Sequence, residues 1–323
     1  MKTQKLLKCC AAASVILSLA GCAKEEKKVP VVGVAQLVDQ TSLNIIREAM
    51  FDEFEKLGYK DGETITIDYQ NAAGKADSLH SIMSKYQGEE ADAVVAIATG
   101  TAQAAQSLTD EIPVIFSAVS DPVGAGLVED LDNPPHNLTG TSNEMQVDQM
   151  ADLIEQMSPD ARIIGCLYTP GEVNGVATLN RFKKEAADRG YEIVEATGTD
   201  LTTLQQALSS LTDKCDVLFS PNDNIVASGM SALAEMAVQA DIPYYVSADS
   251  MVMDGGLAAV GIDYEQLGRE TARMTVKVLE GEEASSMPVK VFQDDLKTYV
   301  NKNTAGRLNR IMVPEGSLVV EFD

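Results

Sequence analysis

The sequence predicts an α/β fold of two Rossmann-like lobes, each built on a parallel sheet and joined by a multi-strand hinge. From residue 31 onward, short β-rich runs alternate with longer segments of helical periodicity, the pattern of a parallel sheet covered by helices on both faces. Three landmarks then recur in order at nearly constant spacing. Gly58-Tyr59 returns as Gly190-Tyr191, Asp92-Ala93-Val94 as Asp216-Val217-Leu218, and Ile112-Pro113-Val114 as Ile242-Pro243-Tyr244. A half written twice implies two lobes of like topology rather than one oversized sheet.

In the first lobe, residues 31–141, strand 31–37 is followed by helix 42–57, whose apolar stripe Ile45, Ile46, Ala49, Met50, Phe54 and Leu57 stops at Gly58. Strand 64–69, helix 76–86, the continuous apolar strand 93–97, helix 101–108 and strand 113–117 complete it. The second lobe, residues 142–262, repeats the order as strand 162–168, helix 174–189, strand 191–196, helix 201–211, strand 216–219, helix 224–239 and strand 243–247. Gly255-Gly256 and strand 257–261 lead into a long helix, Tyr264–Leu279, with no counterpart between the lobes. Residues 263–291 are therefore expected to return to the first lobe, with 292–323 near the hinge and assigned to neither lobe. Lobes joined by more than one strand form a hinge with a cleft, a standard device for closing around a small ligand.

Residues 1–21 read as a signal peptide. Lys2, Lys5 and Lys8 precede an apolar run of twelve residues, 9–20, well short of the roughly 20 that span a bilayer as a helix. The run ends in Leu19-Ala20-Gly21-Cys22, which resembles a lipobox, so Cys22 is the expected lipid anchor and 22–30 a hydrophilic tether. An extracytoplasmic protein, lipid-anchored to the cell membrane, follows. The net charge of −24 and the lack of any basic cluster beyond Lys183-Lys184 and the tether exclude a nucleic-acid partner. Once Cys9, Cys10 and Cys22 are set aside, Cys166 and Cys215 remain, either as two buried thiols or as one bridge.

In open α/β sheets, ligands sit beyond the carboxyl ends of the strands, where helix N-termini direct backbone N–H groups into the crevice. Every segment at those ends carries hydroxyls, amides or a carboxylate. The candidate ligand-binding residues are Gln36, Thr99, Gly100, Thr101, Ser117, Ser120, Asn143, Tyr168, Asn174, Asn222, Asp223 and Asp249. At Thr99-Gly100-Thr101 an apolar strand stops and a helix begins whose exposed N–H groups suit an anion such as a carboxylate, although Thr is also an ordinary N-cap. Asp249 and Asp223 are acids at second-lobe strand ends that suit a ligand ammonium. Asp249 is the stronger candidate, because Asp223 can instead close a turn after Pro221. Tyr168 and Tyr245 either stack on a ligand ring or fill core.

Several strings carry a family resemblance: Ser120-Asp121-Pro122-Val123-Gly124-Ala125-Gly126-Leu127-Val128, Asn137-Leu138-Thr139-Gly140, Pro221-Asn222-Asp223-Asn224, and Gly261-Ile262-Asp263-Tyr264-Glu265-Gln266-Leu267-Gly268-Arg269. They resemble the ABC-transporter substrate-binding lipoproteins of the tryptophan/tyrosine-binding type. The resemblance implies a type I periplasmic binding protein fold, partner permease and ATPase subunits, an aromatic amino acid as ligand, and no chemistry on that ligand. It also implies that first-lobe hydroxyls and helix N–H groups hold the α-carboxylate while a second-lobe acid holds the ammonium. Thr99, Thr101 and Asp249 fit that division. The alternative role is a ligand-sensing lipoprotein that signals through a membrane receptor.

An enzyme lacks its usual parts here. The mature chain has two histidines, His80 and His136, and no zinc-protease, nucleophile-elbow or phosphate-loop motif. Gly124-Ala125-Gly126 lacks the third glycine of a dinucleotide fingerprint. No cofactor and no metal is expected.

Overall fold

The computed structural model describes residues 29–293, 296–309, 311–314 and 319–322. The leader, Cys22 and tether residues 22–28 lie outside the described residues. The first lobe opens with β1 (Val31–Gln36), α1 (Thr41–Lys56), β2 (Thr66–Asn71), α2 (Ala76–Gly88), β3 (Ala93–Ile97), α3 (Thr99–Ala105), β4 (Val114–Ser117) and β5 (Leu138–Ser142). The second contains α4 (Val147–Met157), β6 (Ile163–Tyr168), α5 (Val173–Asp188), β7 (Glu192–Thr197), α6 (Leu201–Leu211) and β8 (Val217–Phe219). It continues through α7 (Asn224–Ser228), α8 (Met230–Gln239), β9 (Tyr244–Tyr245), α9 (Asp249–Met253) and β10 (Ala258–Gly261). Then come α10 (Tyr264–Leu279), β11 (Lys290–Val291), β12 (Lys297–Asn301), α11 (Lys302–Arg307) and β13 (Val319–Phe322).

The strands form two sheets. One has the order β2-β1-β3-β4-β5-β11 and the other β7-β6-β8-β9-β10-β12-β13. Each lobe thus repeats a doubly wound parallel core whose strand order reverses beside its first strand, which places the crevice of each sheet at β1/β3 and β6/β8. The β10–β12 pairing is antiparallel. Along the first sheet, Val32, Val34, Val95, Ile97 and Ile115 join the apolar cluster under α1 and α10. Their neighbours Ala35, Val94, Ala96, Val114 and Phe116 face α2 and α3, as the two-residue period of a strand buried on both sides requires.

The repeated landmarks have physical causes. Gly58 and Gly190 adopt φ of 89° and 83°, which lets Tyr59 N–H reach back to Phe54 O at 2.8 Å and Tyr191 N–H to Ala186 O at 2.9 Å. These are Schellman closures of α1 and α5. Asp92 accepts from Val31 N at 2.8 Å and Asp216 from Ile163 N at 2.9 Å, so each aspartate satisfies the leading N–H of its lobe's first strand. Pro113 O and Pro243 O accept from Val94 N and Leu218 N at 2.9 and 2.8 Å, fixing the register of the next strand pair.

The chain passes between the lobes after β5, after β10 and after β11. The second passage carries α10 back onto the first lobe. Gly268 is what lets it approach: a Cβ there would lie 2.3 Å from Ile46 O of α1. Arg273 of α10 reinforces the pair by donating to the buried Glu53 carboxylate of α1 at 2.9 Å. β12 and β13 extend the second sheet, which places the C-terminal strands with the second lobe.

One local feature differs from the sequence reading, and one alternative that it left open, thiols or a bridge, is decided for thiols. Residues 224–239 form two helices, because the chain leaves helical geometry at Gly229 (φ −108°, ψ 9°). Cys166 and Cys215 are both free. Burial pushes both thiols up, Cys215 to about 11, so they are inert at neutral pH. Replacing Gly268 by Ala should lower stability by about 1–3 kcal/mol, the usual cost of overpacking a tight contact. A urea midpoint equal to that of the wild type would show that α1 and α10 separate without penalty.

Candidate functional site

The carboxyl ends of both sheets face one another across a small cavity of about 30 Å³, enough for a water molecule. From the first lobe come Gln40, Ser42 and Leu43 at the start of α1, Thr99 at the start of α3, and Ala118 and Ser120 after β4. The second lobe contributes Asn174 of α5, Asn222 to Asn224 and Ala227 around the start of α7, and Ala248 and Met251 around α9. Asn143 and Tyr264 enter from the first and second passages between the lobes.

Strained backbone marks the first-lobe wall. Ala98 (φ 81°) and Ala118 (φ 57°) sit at the ends of β3 and β4 in the left-handed region, which costs a non-glycine residue on the order of 1–3 kcal/mol. Ala98 is the residue from which α3 springs, so its geometry sets the direction of the Thr99 side chain. The Thr99 hydroxyl is buried with no hydrogen-bond partner, and so is Oδ1 of Asn222 on the opposite lobe. Buried polar atoms are rarely left so, and an orphaned pair on facing walls of a cavity is what a polar ligand would satisfy.

The carboxylates differ in placement. Asp223 lies on the wall, where one oxygen accepts from Ile225 and Val226 N–H at 2.9 and 3.0 Å, capping α7, and the other from Thr169 N–H at 2.6 Å. Burial and the nearby Glu172 charge push it up to about 6 despite those bonds. Asp249, the acid favoured from sequence, lies outside the wall. Its oxygens accept from Ser250 and Tyr264 N–H at 2.6 and 3.3 Å, and burial pushes it up to about 7.

Of the residues singled out from sequence, Thr99, Ser120, Asn143, Asn174, Asn222 and Asp223 come together on the cavity wall. The others lie off it. Gln36 donates to Val38 O and Asn44 Oδ1, both at 2.8 Å, within a first-lobe network that includes Arg47 and Tyr69. Ser117 bonds Thr271 of α10 at 2.8 Å, and Thr101 is buried without a partner. Gly100 follows Thr99 within α3. Tyr168 donates to Glu195 at 3.0 Å, while Tyr244 and Tyr245 are fully buried with hydroxyls on Ser220 and Ser158, so they supply core rather than cleft surface. Sequence reasoning passed over Ser42, Leu43, Met251 and Tyr264. Ser42 lies in the first turn of the helix that follows β1 and Tyr264 begins the helix that follows β10, the same kind of signal that identified Thr99.

The lobes meet directly around this cavity. Ser42 Oγ bonds Ser250 Oγ of α9, and Asn222 Nδ2 donates to Ser120 Oγ and to Asn143 O, both at 3.1 Å. Asn143 accepts from Ser120 Oγ at 3.0 Å and donates to Tyr264 OH at 2.8 Å, which ties the two passages together.

Two doubly wound lobes closed over a small polar cavity define a ligand-binding protein with the fold of the type I periplasmic class. The sequence model of the ABC transporter substrate binding protein family matches residues 31–322, and the chain belongs to that family. It is 37% identical over 285 residues to the tyrosine-binding protein of Clostridioides difficile, covering 88% of this chain and 82% of that one. Its structure resembles the ABC domain from Streptococcus pneumonia in complex with L-Trp, with a TM-score of 0.85 and 34% identity over 90% of this chain and 99% of that chain. The ligand-free, open structure of a Clostridium difficile substrate-binding protein with adhesive properties is 38% identical and covers 91% of this chain and 100% of that one, yet its TM-score is 0.71. Lower overlap at higher identity is what a different lobe arrangement produces. Members of this family are extracytoplasmic binding proteins that work with ABC transporters rather than enzymes. No helix among the described residues is long and apolar enough to cross a membrane.

The raised acids predict a pH dependence. Asp223 and Asp249 ionise in the folded protein near pH 6 and 7, against about 3.9 when unfolded, so their contribution to stability is full below about pH 3.9 and lost as pH rises through 6 and then 7. Between pH 5 and 8 the Tm of the unliganded protein should fall, and more gently in Asp249→Asn. Identical slopes in variant and wild type would show that Asp249 ionises in the folded protein as it does when unfolded.

Proposed function

We propose that this protein is the lipid-anchored, extracytoplasmic substrate-binding subunit of an ABC importer and that it captures an aromatic amino acid between its lobes. The observation that carries the reading is the orphaned Thr99 hydroxyl facing the orphaned Asn222 oxygen, with the Asp223 carboxylate beside the latter. A zwitterion satisfies both walls at once. Its carboxylate accepts from the Thr99 and Ser120 hydroxyls of the first lobe. Its ammonium donates to Asn222 Oδ1 and Asp223, so Asp223 takes the role that sequence position suggested for Asp249. Leu43, Ala227, Ala248 and Met251 supply an apolar section of wall for the side chain, which a ring reaches when the lobes stand further apart than in this closed arrangement. Relatives named for tyrosine and bound to L-Trp support the aromatic class. The Leu19-Ala20-Gly21-Cys22 string supports the anchor, and membership in the family supports partner permease and ATPase subunits.

The protein contains no Trp, so bound L-tryptophan is its only indole and its emission should shift to shorter wavelength on leaving water. Asp223→Asn should weaken L-tryptophan roughly 10- to 100-fold, the loss of a hydrogen bond to a charged group, and should weaken a deaminated analogue much less. Wild-type affinity for L-tryptophan should rise as pH increases through about 6, where Asp223 ionises, and the variant should lack that rise. Equal loss for both ligands would remove Asp223 from the ammonium site. Failure of every aromatic amino acid to bind would refute the ligand class.

Cys22→Ala should release the protein from membranes or leave it unprocessed, as read by fractionation and mass spectrometry. Membrane retention equal to the wild type would refute the anchor.

A further inference from the structure

Of the bonds described above that join the lobes, those of Asn222 use cavity residues on both sides, whereas Ser42–Ser250 has a cavity residue, Ser42, on one side only. Asn222, Ser120 and Asn143 all line the cavity, so a ligand competes with or rearranges their contacts. Ser250 is different. It is fully buried in α9 behind the cavity wall, and its hydroxyl has the Ser42 hydroxyl of α1 as its partner, across the interface between lobes. Its N–H is already engaged by Asp249 Oδ1, and α9 carries Met251 on the wall and is packed against β10. The Ser42–Ser250 bond therefore needs no ligand and exists only when α1 and α9 are brought together.

We infer that Ser250 is a positioning residue for binding: its bond to Ser42 stabilises the closed arrangement independently of ligand, so that the unliganded protein populates the closed form and binds more tightly for it. The inference deepens the proposed function, since it concerns the same cleft, but it makes no assumption about which ligand fits. Three features favour it. Both hydroxyls are buried when they meet, and the bond they then exchange for water still gives a net gain. Both sit on helices held to their own lobes, α1 by α10 and α9 by Asn301, whose Nδ2 donates to Val252 O at 2.9 Å, so the bond joins rigid bodies rather than loops. The Asn143–Tyr264 bond couples two of the three passages, so that one geometry of the hinge brings all the lobe contacts into register together. A protein-supplied closing bond raises the fraction of binding-competent molecules, and apparent affinity scales with that fraction whatever the ligand.

The test compares wild type with Ser250→Ala, which removes the hydroxyl and leaves the wall residues intact. Small-angle scattering of the two ligand-free proteins should give a larger radius of gyration for the variant. Its dissociation constants for L-tryptophan and L-tyrosine should both rise by one common factor of about 2- to 10-fold, the range for one neutral hydrogen bond, mainly through faster dissociation. Equal radii in the two ligand-free proteins would overturn the inference. So would a factor that differs between the two amino acids, which would make Ser250 a ligand contact. If neither amino acid binds the wild type, the aromatic ligand class fails alone, and the scattering comparison still decides the role of Ser250.

Discussion

The close packing of α10 on α1 is the constraint on which the rest of the molecule depends. Without it, the chain would cross between lobes once, and two independent α/β units would hang on a linker. Because Gly268 has no Cβ to strike Ile46 O, α10 settles onto the first sheet, with Leu267, Ala272 and Val276 buried. Its return forces a second passage, and the onward path through β11 to β12 a third. Three passages restrict the lobes to a hinge motion, and the two that carry Asn143 and Tyr264 deliver these side chains into the cavity they flank. The Leu267-Gly268-Arg269 string thus earns its place through helix packing rather than through ligand contact.

Electrostatics distinguishes the acids buried at the cleft. The chain is strongly acidic overall, yet the two carboxylates buried nearest the cleft are poorly disposed to ionise, because burial withholds water from them. Such a group is held ready for a cation. In the proposed function, an ammonium beside Asp223 supplies the counter-charge that the protein lacks there, and the desolvation that disfavours the empty site strengthens the pair once formed. Thr99, directed by a strained Ala98, is the complementary polar group on the other lobe. On the proposed reading, the polar groups for the two ends of a zwitterion are divided between the two lobes, so closure and recognition would be one event.

The repeat of the two lobes was legible in the chain because each landmark performs the same backbone task twice. A left-handed glycine closes a helix, an aspartate satisfies the first strand's leading N–H, and a proline carbonyl sets strand register. These are local demands, met by residues near in sequence or one strand away. β5 and α4 were not anticipated as elements; Leu138–Ser142 is polar in alternation yet buried, flanked at its edges by β4 and β11, with Thr139 bonded to Met287 O and Thr141 to Thr271 of α10. The site residues divide the same way. Thr99, Asn174 and Asp223 could be found because strand ends followed by helix starts are visible in sequence.

What the sequence by itself determined is the class of the molecule: two doubly wound lobes and the strand ends that bear polar residues. What only the tertiary structure decided is which of those polar residues meet. Asp223 and Asp249 both follow strands of one lobe, and the sequence favours Asp249, yet the fold puts Asp223 on the wall and leaves Asp249 off it. Ser42 and Ser250, more than two hundred residues apart, become partners through the closure of one lobe on the other. Local propensities fix where strands end, because they depend on neighbours in the chain. The relative placement of two lobes depends on long-range packing across the hinge, which no short stretch of sequence encodes.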